Sequence, residues 1–184
     1  MADALDEIEA ELNAATEQAR RLIDTTDGRL FTVRPDPASW SASECIAHLN
    51  ISTELFLPVL GPVLDEARAK KLLSEKKPSM DLLGRILRWF LEPPIRQRVK
   101  TSAPFVPKAV RAKSESLAEF VALQNRLIEL ARAARGLHLA KIRIVSPFDK
   151  RVKYNAYSAF RIIAAHQRRH LWQAEQAVAK LRAQ

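Results

Sequence analysis

Four stretches of the chain place apolar residues at alternating spacings of three and four positions, the pattern of a helix with one buried stripe. They span residues 3–25, a stretch that begins at Ser41, one that begins near Ser116, and residues 157–181. Four amphipathic helices predict an all-α, up-down-type four-helix bundle, and we expect one domain over residues 1–184.

Local signals predict where these helices begin and end. Ser41 followed by Glu44, and Ser116 followed by Glu119, are capping-box patterns that predict the starts of the second and third helices. Gly136 is expected to end the third helix.

Proline and glycine predict the interruptions. Gly28 and residues 35–37 indicate a loop after the first helix, and residues 137–156 a long loop with a strand-like KIRIV piece. Pro58 and Pro62 lie inside the second apolar stripe, where each removes a backbone donor. We therefore expect the second helix to kink or end early.

Charge is unevenly distributed along the chain. Residues 66–113 contain 13 Lys and Arg against 4 Asp and Glu, whereas the remaining residues contain 17 of each sign. This basic connecting segment includes the sequence DLLGRILRWFLE, which predicts an extra short helix between the second and third helices. One basic lobe on a neutral body argues against a general nucleic-acid-binding domain.

Composition limits the class of protein further. Hydrophobic residues make up 47% of the 184 positions, which excludes a disordered chain. Cys45 is the only cysteine, so no internal disulfide can form and a reducing cytoplasm is expected. The acidic N-terminus does not resemble a signal peptide, and no stretch approaches ~18 apolar residues, so we expect no membrane partner.

Histidines supply the candidate chemistry. His166 and His170 lie four positions apart on the apolar face of the fourth helix, and His48 lies near the start of the second helix. In an up-down bundle these positions can converge, and imidazole suits zinc or nickel. The alternative is three ordinary core or surface histidines, the interpretation we adopt for His138. A zinc protease is excluded because Gln167 replaces the glutamate that would act as base.

The order of several short motifs resembles the DinB-like superfamily of bacterial four-helix bundles. These motifs are a proline-rich loop, Trp40–Ser41, Glu44, His48–Leu49, and a late Ala165–His166–Gln167–Arg168–Arg169–His170–Leu171 with Gln173. The resemblance implies a metal site at His48, His166 and His170, zinc or nickel as the metal, and a homodimer. Bacillithiol transferases and mycothiol-dependent maleylpyruvate isomerases belong to the same broad group.

Several functions stay open at this point. The resemblance favours transfer of a low-molecular-weight thiol onto a small-molecule electrophile, and hydrolysis is the second chemistry that an open metal position allows. A non-catalytic metal- or ligand-binding bundle is the alternative, and a nucleic-acid-associated protein ranks last. Arg168 and Arg169 are candidates for anion binding at the pocket rim, whereas Glu44 and Asp149 are expected to serve a cap and a turn.

Overall fold

The computed structural model describes residues 4–94, 101–108 and 111–184. Its long helices are α1 (Ala4–Thr25), α3 (Ala42–Ala69), α5 (Lys113–Ala133) and α6 (Ala156–Arg182). The shorter elements are α2 (Gly28–Thr32), α4 (Leu82–Leu91), a 3₁₀ turn (Ala103–Phe105), β1 (Arg143–Val145) and β2 (Lys153–Asn155). Helices α1 and α3 each pack against both α5 and α6, which confirms the predicted all-α bundle of four helices.

The apolar core consists of two clusters stacked along the bundle. The larger joins α1, α3, α5 and the first turns of α6 with the loop before β1, and includes Leu60 and Leu127. The smaller joins the end of α1, α2, the start of α3 and the later turns of α6, and includes Phe31 and Leu171. Buried polar residues of α6, among them His166 and His170, lie between its residues of the larger cluster and those of the smaller one.

Helix α3 continues through both prolines, so the expected early end is wrong. It runs unbroken from Ala42 to Ala69. Pro58 and Pro62 are both exposed, four positions apart on one face. The carbonyls of Glu54 and Pro58, which lose their usual donors, therefore lie on a face that water can reach.

Helix α3 also has the length and apolar composition of a membrane span, alone among the helices described. However, 56% of its most apolar window is buried inside the bundle. The same test is passed by core helices of folded domains, so it is weak support for a membrane span.

One capping box is confirmed and the other is wrong. The Ser41 Oγ accepts a hydrogen bond from the Glu44 N–H at 3.2 Å, and the Glu44 carboxylate accepts one from the Ser41 N–H at 2.9 Å. Helix α5, by contrast, begins at Lys113 and Ser116 is buried within it. Glu119 accepts a hydrogen bond from the Asn50 side chain at 2.7 Å instead of capping a helix.

Two connections contain structure where loops were expected. Asp27 caps α2, and Phe31 of α2 is fully buried in the smaller core cluster. In the long loop, the predicted KIRIV strand forms β1 and pairs in antiparallel register with the unpredicted β2, Ile144 lying opposite Tyr154.

The predicted extra helix exists as α4 and ends before Pro93, as expected. It docks on α6 through Asp81, whose carboxylate accepts hydrogen bonds from the Gly84 N–H, the Ser158 hydroxyl and the Asn155 N–H. Arg143 of β1 also donates to Asp81, at 3.0 Å. One carboxylate thus joins α4, the hairpin and α6. Within the basic segment, residues 95–100 and 109–110 lie outside the described residues.

Candidate metal centre

Helices α3 and α6 bring the three predicted histidines together inside the bundle. The Nε2 atoms of His48 and His166 are 3.1 Å apart, and the ring centroids of His48 and His170 are 4.4 Å apart. Each residue offers one ligand atom, and all three atoms lie within 4.8 Å of one another. Because all three side chains are buried, this is a compact donor set rather than a surface coincidence.

A backbone carbonyl orients His48 for ligation. His48 Nδ1 lies 2.8 Å from the Phe105 carbonyl, which can only accept, so Nδ1 carries the proton and Nε2 presents a lone pair. Two nitrogen ligands of a tetrahedral zinc ion lie about 3.3 Å apart, close to the separation of His48 and His166. His170 Nδ1 is buried without a hydrogen-bond partner among the described residues. The residues therefore fit a divalent metal ion.

Burial keeps the three imidazoles in the neutral form that metal binding requires. Burial lowers the pKa of His48, although the hydrogen bond to Phe105 opposes this shift. Burial, followed by the proximity of the other histidines and of Arg169, holds the pKa of both His166 and His170 well below 6.5. Near neutral pH the centre is a set of uncharged nitrogen donors.

Aromatic rings surround the histidines. The Trp40 ring stacks on His170 with a centroid distance of 5.9 Å. Phe148 lies 5.5 Å from the His166 ring and stacks on Phe105 at 4.3 Å. These rings restrict how the imidazoles can turn and limit the access of water from their side of the centre.

A pocket of about 1040 Å³ opens onto the centre, with all three histidines in its wall. Its apolar wall includes Leu87, Phe90, Leu91, Val152, Ile162 and Trp172. Arg169 contributes a buried positive charge; its guanidinium donates to the Phe90 carbonyl at 3.2 Å and lies 5.6 Å from the Phe90 ring centroid. The pocket therefore combines an apolar surface, one cation and three nitrogen donors.

The two arginines between the histidines have different surroundings. Arg168 forms ion pairs with Glu92 and Glu11 and does not line this pocket, so it ties α6 to α4 and α1. Arg169 does line the pocket, so it stays the candidate for anion binding.

The remaining candidates have structural roles. The guanidinium and N–H of Arg151 hold the pKa of Asp149 at about 2, in the expected turn at the pocket edge. Glu44, which completes the capping box of α3, is paired with Arg34. Burial raises the pKa of the Cys45 thiol, which packs in the smaller core cluster. His138 does not line the pocket.

Sequence reasoning missed a buried amide pair beside the centre. Gln124 of α5 donates to the Gln167 side chain at 3.1 Å and to the Leu12 carbonyl at 2.9 Å, and Gln167 donates back to Gln124 at 2.6 Å. This network joins α1, α5 and α6 next to His166. Glutamine on an otherwise apolar stripe was the signal that could have revealed it.

Fold and site together define a helical bundle with a buried three-histidine centre. A family model of the DinB superfamily matches residues 11–174, and the chain belongs to that superfamily. No curated protein and no solved structure matches the chain significantly.

Proposed function

We propose that the protein is a metal-dependent enzyme that transfers a low-molecular-weight thiol onto an electrophilic small molecule, with zinc or nickel held by His48, His166 and His170. The observation that carries the proposal is the placement of three buried, neutral imidazoles in the wall of a large pocket. Membership of the DinB superfamily supports thiol transfer over hydrolysis, because the broad group that the sequence resembles includes bacillithiol transferases and mycothiol-dependent isomerases.

The bound ion would act as a Lewis acid that lowers the pKa of a ligated thiol, or of water in the hydrolytic alternative. The chain itself supplies the orientation. Phe105 fixes the tautomer of His48, Trp40 holds the His170 ring, and the Gln124–Gln167 pair holds the helical turn that carries His166. With only three protein ligands, a bound ion would keep a coordination position open for a substrate atom.

The rest of the pocket suits a substrate with an apolar part and an anionic part. Leu87, Phe90 and Leu91 of α4 offer an apolar wall that would exclude water from the reacting atoms. Arg169 places positive charge in the same pocket, which favours a carboxylate on the thiol or on the electrophile. A homodimer and a cytoplasmic location stay expectations from the resemblance and from the single cysteine.

One observation favours a non-catalytic metal- or ligand-binding bundle as the second candidate. The two carboxylates that were expected to serve a cap and a turn are engaged in ion pairs, Asp149 with Arg151 and Glu44 with Arg34, so neither is available as a general base. A thiol transferase needs no carboxylate base if the ion itself lowers the thiol pKa, whereas hydrolysis depends more on a base. The same observation therefore ranks thiol transfer above hydrolysis.

Metal analysis of the purified, untagged protein tests the first step. Elemental mass spectrometry should find about one zinc or nickel per chain, and the His166→Ala/His170→Ala variant should lose it while His138→Ala keeps it. Circular dichroism would show that both variants stay helical. Absence of metal after zinc and nickel are offered would contradict a metal enzyme.

Turnover separates the two candidates. Metal-loaded protein incubated with cysteine-based thiols and activated electrophiles should consume both, and the double histidine variant should not. Full metal occupancy without any consumption across the panel would support the non-catalytic bundle.

A further inference from the structure

Helix α4 exposes a row of large apolar side chains. Leu82 is 71% exposed, Ile86 52% and Trp89 60%, and Leu83 lies beside them. We call these four residues the α4 face. We propose that the α4 face binds the surface of an anionic lipid bilayer.

The α4 face is the outer side of a helix that is firmly attached on its inner side. Gly84 is buried and so close to α6 that an added Cβ would lie 2.2 Å from Ser158 Oγ. Leu87 and Leu91 pack against the larger core cluster. The exposed residues therefore project outward from a fixed platform.

Exposed apolar residues at helical spacing call for a partner. Leu82, Ile86 and Trp89 follow one another at intervals of four and three positions and so lie on one side of α4. A contiguous exposed apolar patch on a folded protein usually marks an interaction surface, whereas scattered ones do not. A helix of ten residues is too short to cross a bilayer but can lie in its interface.

Cations on α4 and just before it favour an anionic partner. Helix α4 lies within the basic segment, residues 66–113, whose sequence has an excess of Lys and Arg. Arg85 is exposed on α4 and, in the part of the chain that the structure describes, forms no ion pair, whereas Arg88 on the same helix is paired with Glu92. Lys76 precedes the helix and is exposed as well. Cations beside an apolar helical face are typical of helices that bind anionic membranes.

A second copy of the chain fits this surface less well. Two α4 faces docked against each other would bring the two copies of Arg85 together, which costs free energy and weakens the contact. An anionic bilayer offers headgroup charge to Arg85 and an apolar layer to Leu82 and Ile86, while tryptophan favours the boundary between them. The expectation of no membrane partner rested on spanning segments, and α4 would not span.

Vesicle co-sedimentation of the full, metal-loaded chain tests the proposal. We expect binding to vesicles of phosphatidylglycerol and phosphatidylcholine, weak binding to phosphatidylcholine alone, and weaker binding at high salt. The Leu82→Ser/Ile86→Ser variant should bind the anionic vesicles at least roughly tenfold more weakly, because it removes two exposed apolar anchors. Quenching of tryptophan fluorescence by brominated lipid should disappear in Trp89→Phe.

Matched controls keep the test decisive. Val33→Ser/Leu55→Ser changes two exposed apolar residues elsewhere and should bind vesicles like the native protein. No binding of the native chain to anionic vesicles would overturn the proposal. Undiminished binding of Leu82→Ser/Ile86→Ser to the anionic vesicles would also overturn it, because charge alone would then account for the binding and an acidic protein would be as good a partner. A native dimer that this variant dissociates in sedimentation velocity would assign the face to a second copy.

Discussion

Helices α4 and α6 lie against each other, are both amphipathic, and depart from ordinary burial in opposite ways. Helix α6 buries polar and charged residues, among them His166, Gln167 and Arg169. Helix α4 buries only Gly84 and exposes Leu82 and Trp89. Buried polar groups and exposed apolar groups are the informative departures, because each is unfavourable without a partner.

The proposed metal centre and the proposed contact surface lie on opposite sides of α4. The buried polar residues of α6 lie between the two core clusters. Burial there lowers the pKa of His166 and His170 and keeps both imidazoles uncharged, the form that a metal ion would need. Helix α4 forms one wall of the same pocket with Leu87 and turns Ile86 outward. The two proposals thus place the metal chemistry inside the bundle and the contact with a bilayer on its outer surface.

The largest expected effect is the loss of metal in acid. Because burial lowers the pKa of all three histidines below 6.5, protons should compete with zinc only below that pH. Once all three titrate, affinity should fall by up to about a thousandfold per pH unit, tenfold for each imidazole. A zinc-release titration with a chromogenic chelator measures this, with His138→Gln as a control of unchanged profile. Release of half of the zinc at or above pH 6.5 would contradict the lowered pKa values of the three histidines.

A second contrast compares one leucine from each region. Leu60 of α3 is fully buried in the larger core cluster, so Leu60→Ala should lower the free energy of unfolding by about 2–5 kcal/mol. Leu82 of the α4 face is exposed, so Leu82→Ala should change it by no more than about 0.5 kcal/mol. Urea denaturation of the metal-free proteins measures both changes. Equal losses of unfolding free energy would mean that Leu82 is buried in solution.

A third contrast compares two helical glycines. Gly84→Ala places a methyl group 2.4 Å from Ser158 Cβ, an atom that cannot move aside, and should cost about 1–3 kcal/mol of unfolding free energy. Gly61 of α3 has only Leu130 nearby, at 4.0 Å, so Gly61→Ala should stabilise by up to about 1 kcal/mol. If Gly84→Ala left the free energy of unfolding in urea unchanged, the close packing of α4 on α6 would be refuted.

Periodicity located the long helices because each buries one continuous stripe that local spacing reveals. It could not locate α2, whose single turn and a half depends on Phe31 entering a distant core cluster. Nor could it locate β2, because three residues form a strand only when paired with β1. Short elements owe their existence to tertiary contacts, and the sequence carries little local record of them.

The candidate site divides in the same way. His166 and His170 were predicted from a spacing of four on one helix, and His48 from its place near the start of the second helix of an up-down bundle. The Phe105 carbonyl that orients His48 lies 57 positions along the chain and is a backbone group, so no residue type could signal it. The three histidines do come together; that they bind metal stays a prediction.

The smallest expected effect concerns the two predicted capping boxes, of which the one at Ser41 forms and the one at Ser116 does not. Ser41→Ala removes the hydroxyl that accepts the Glu44 N–H and should cost about 1 kcal/mol of unfolding free energy. Ser116 shares the pattern but lies inside α5, where its buried hydroxyl has no partner among the described residues. Ser116→Ala should therefore be neutral or slightly stabilising, because alanine favours helix and leaves no buried polar group unpaired. Equal costs in urea denaturation would mean that α5 begins at Ser116 after all.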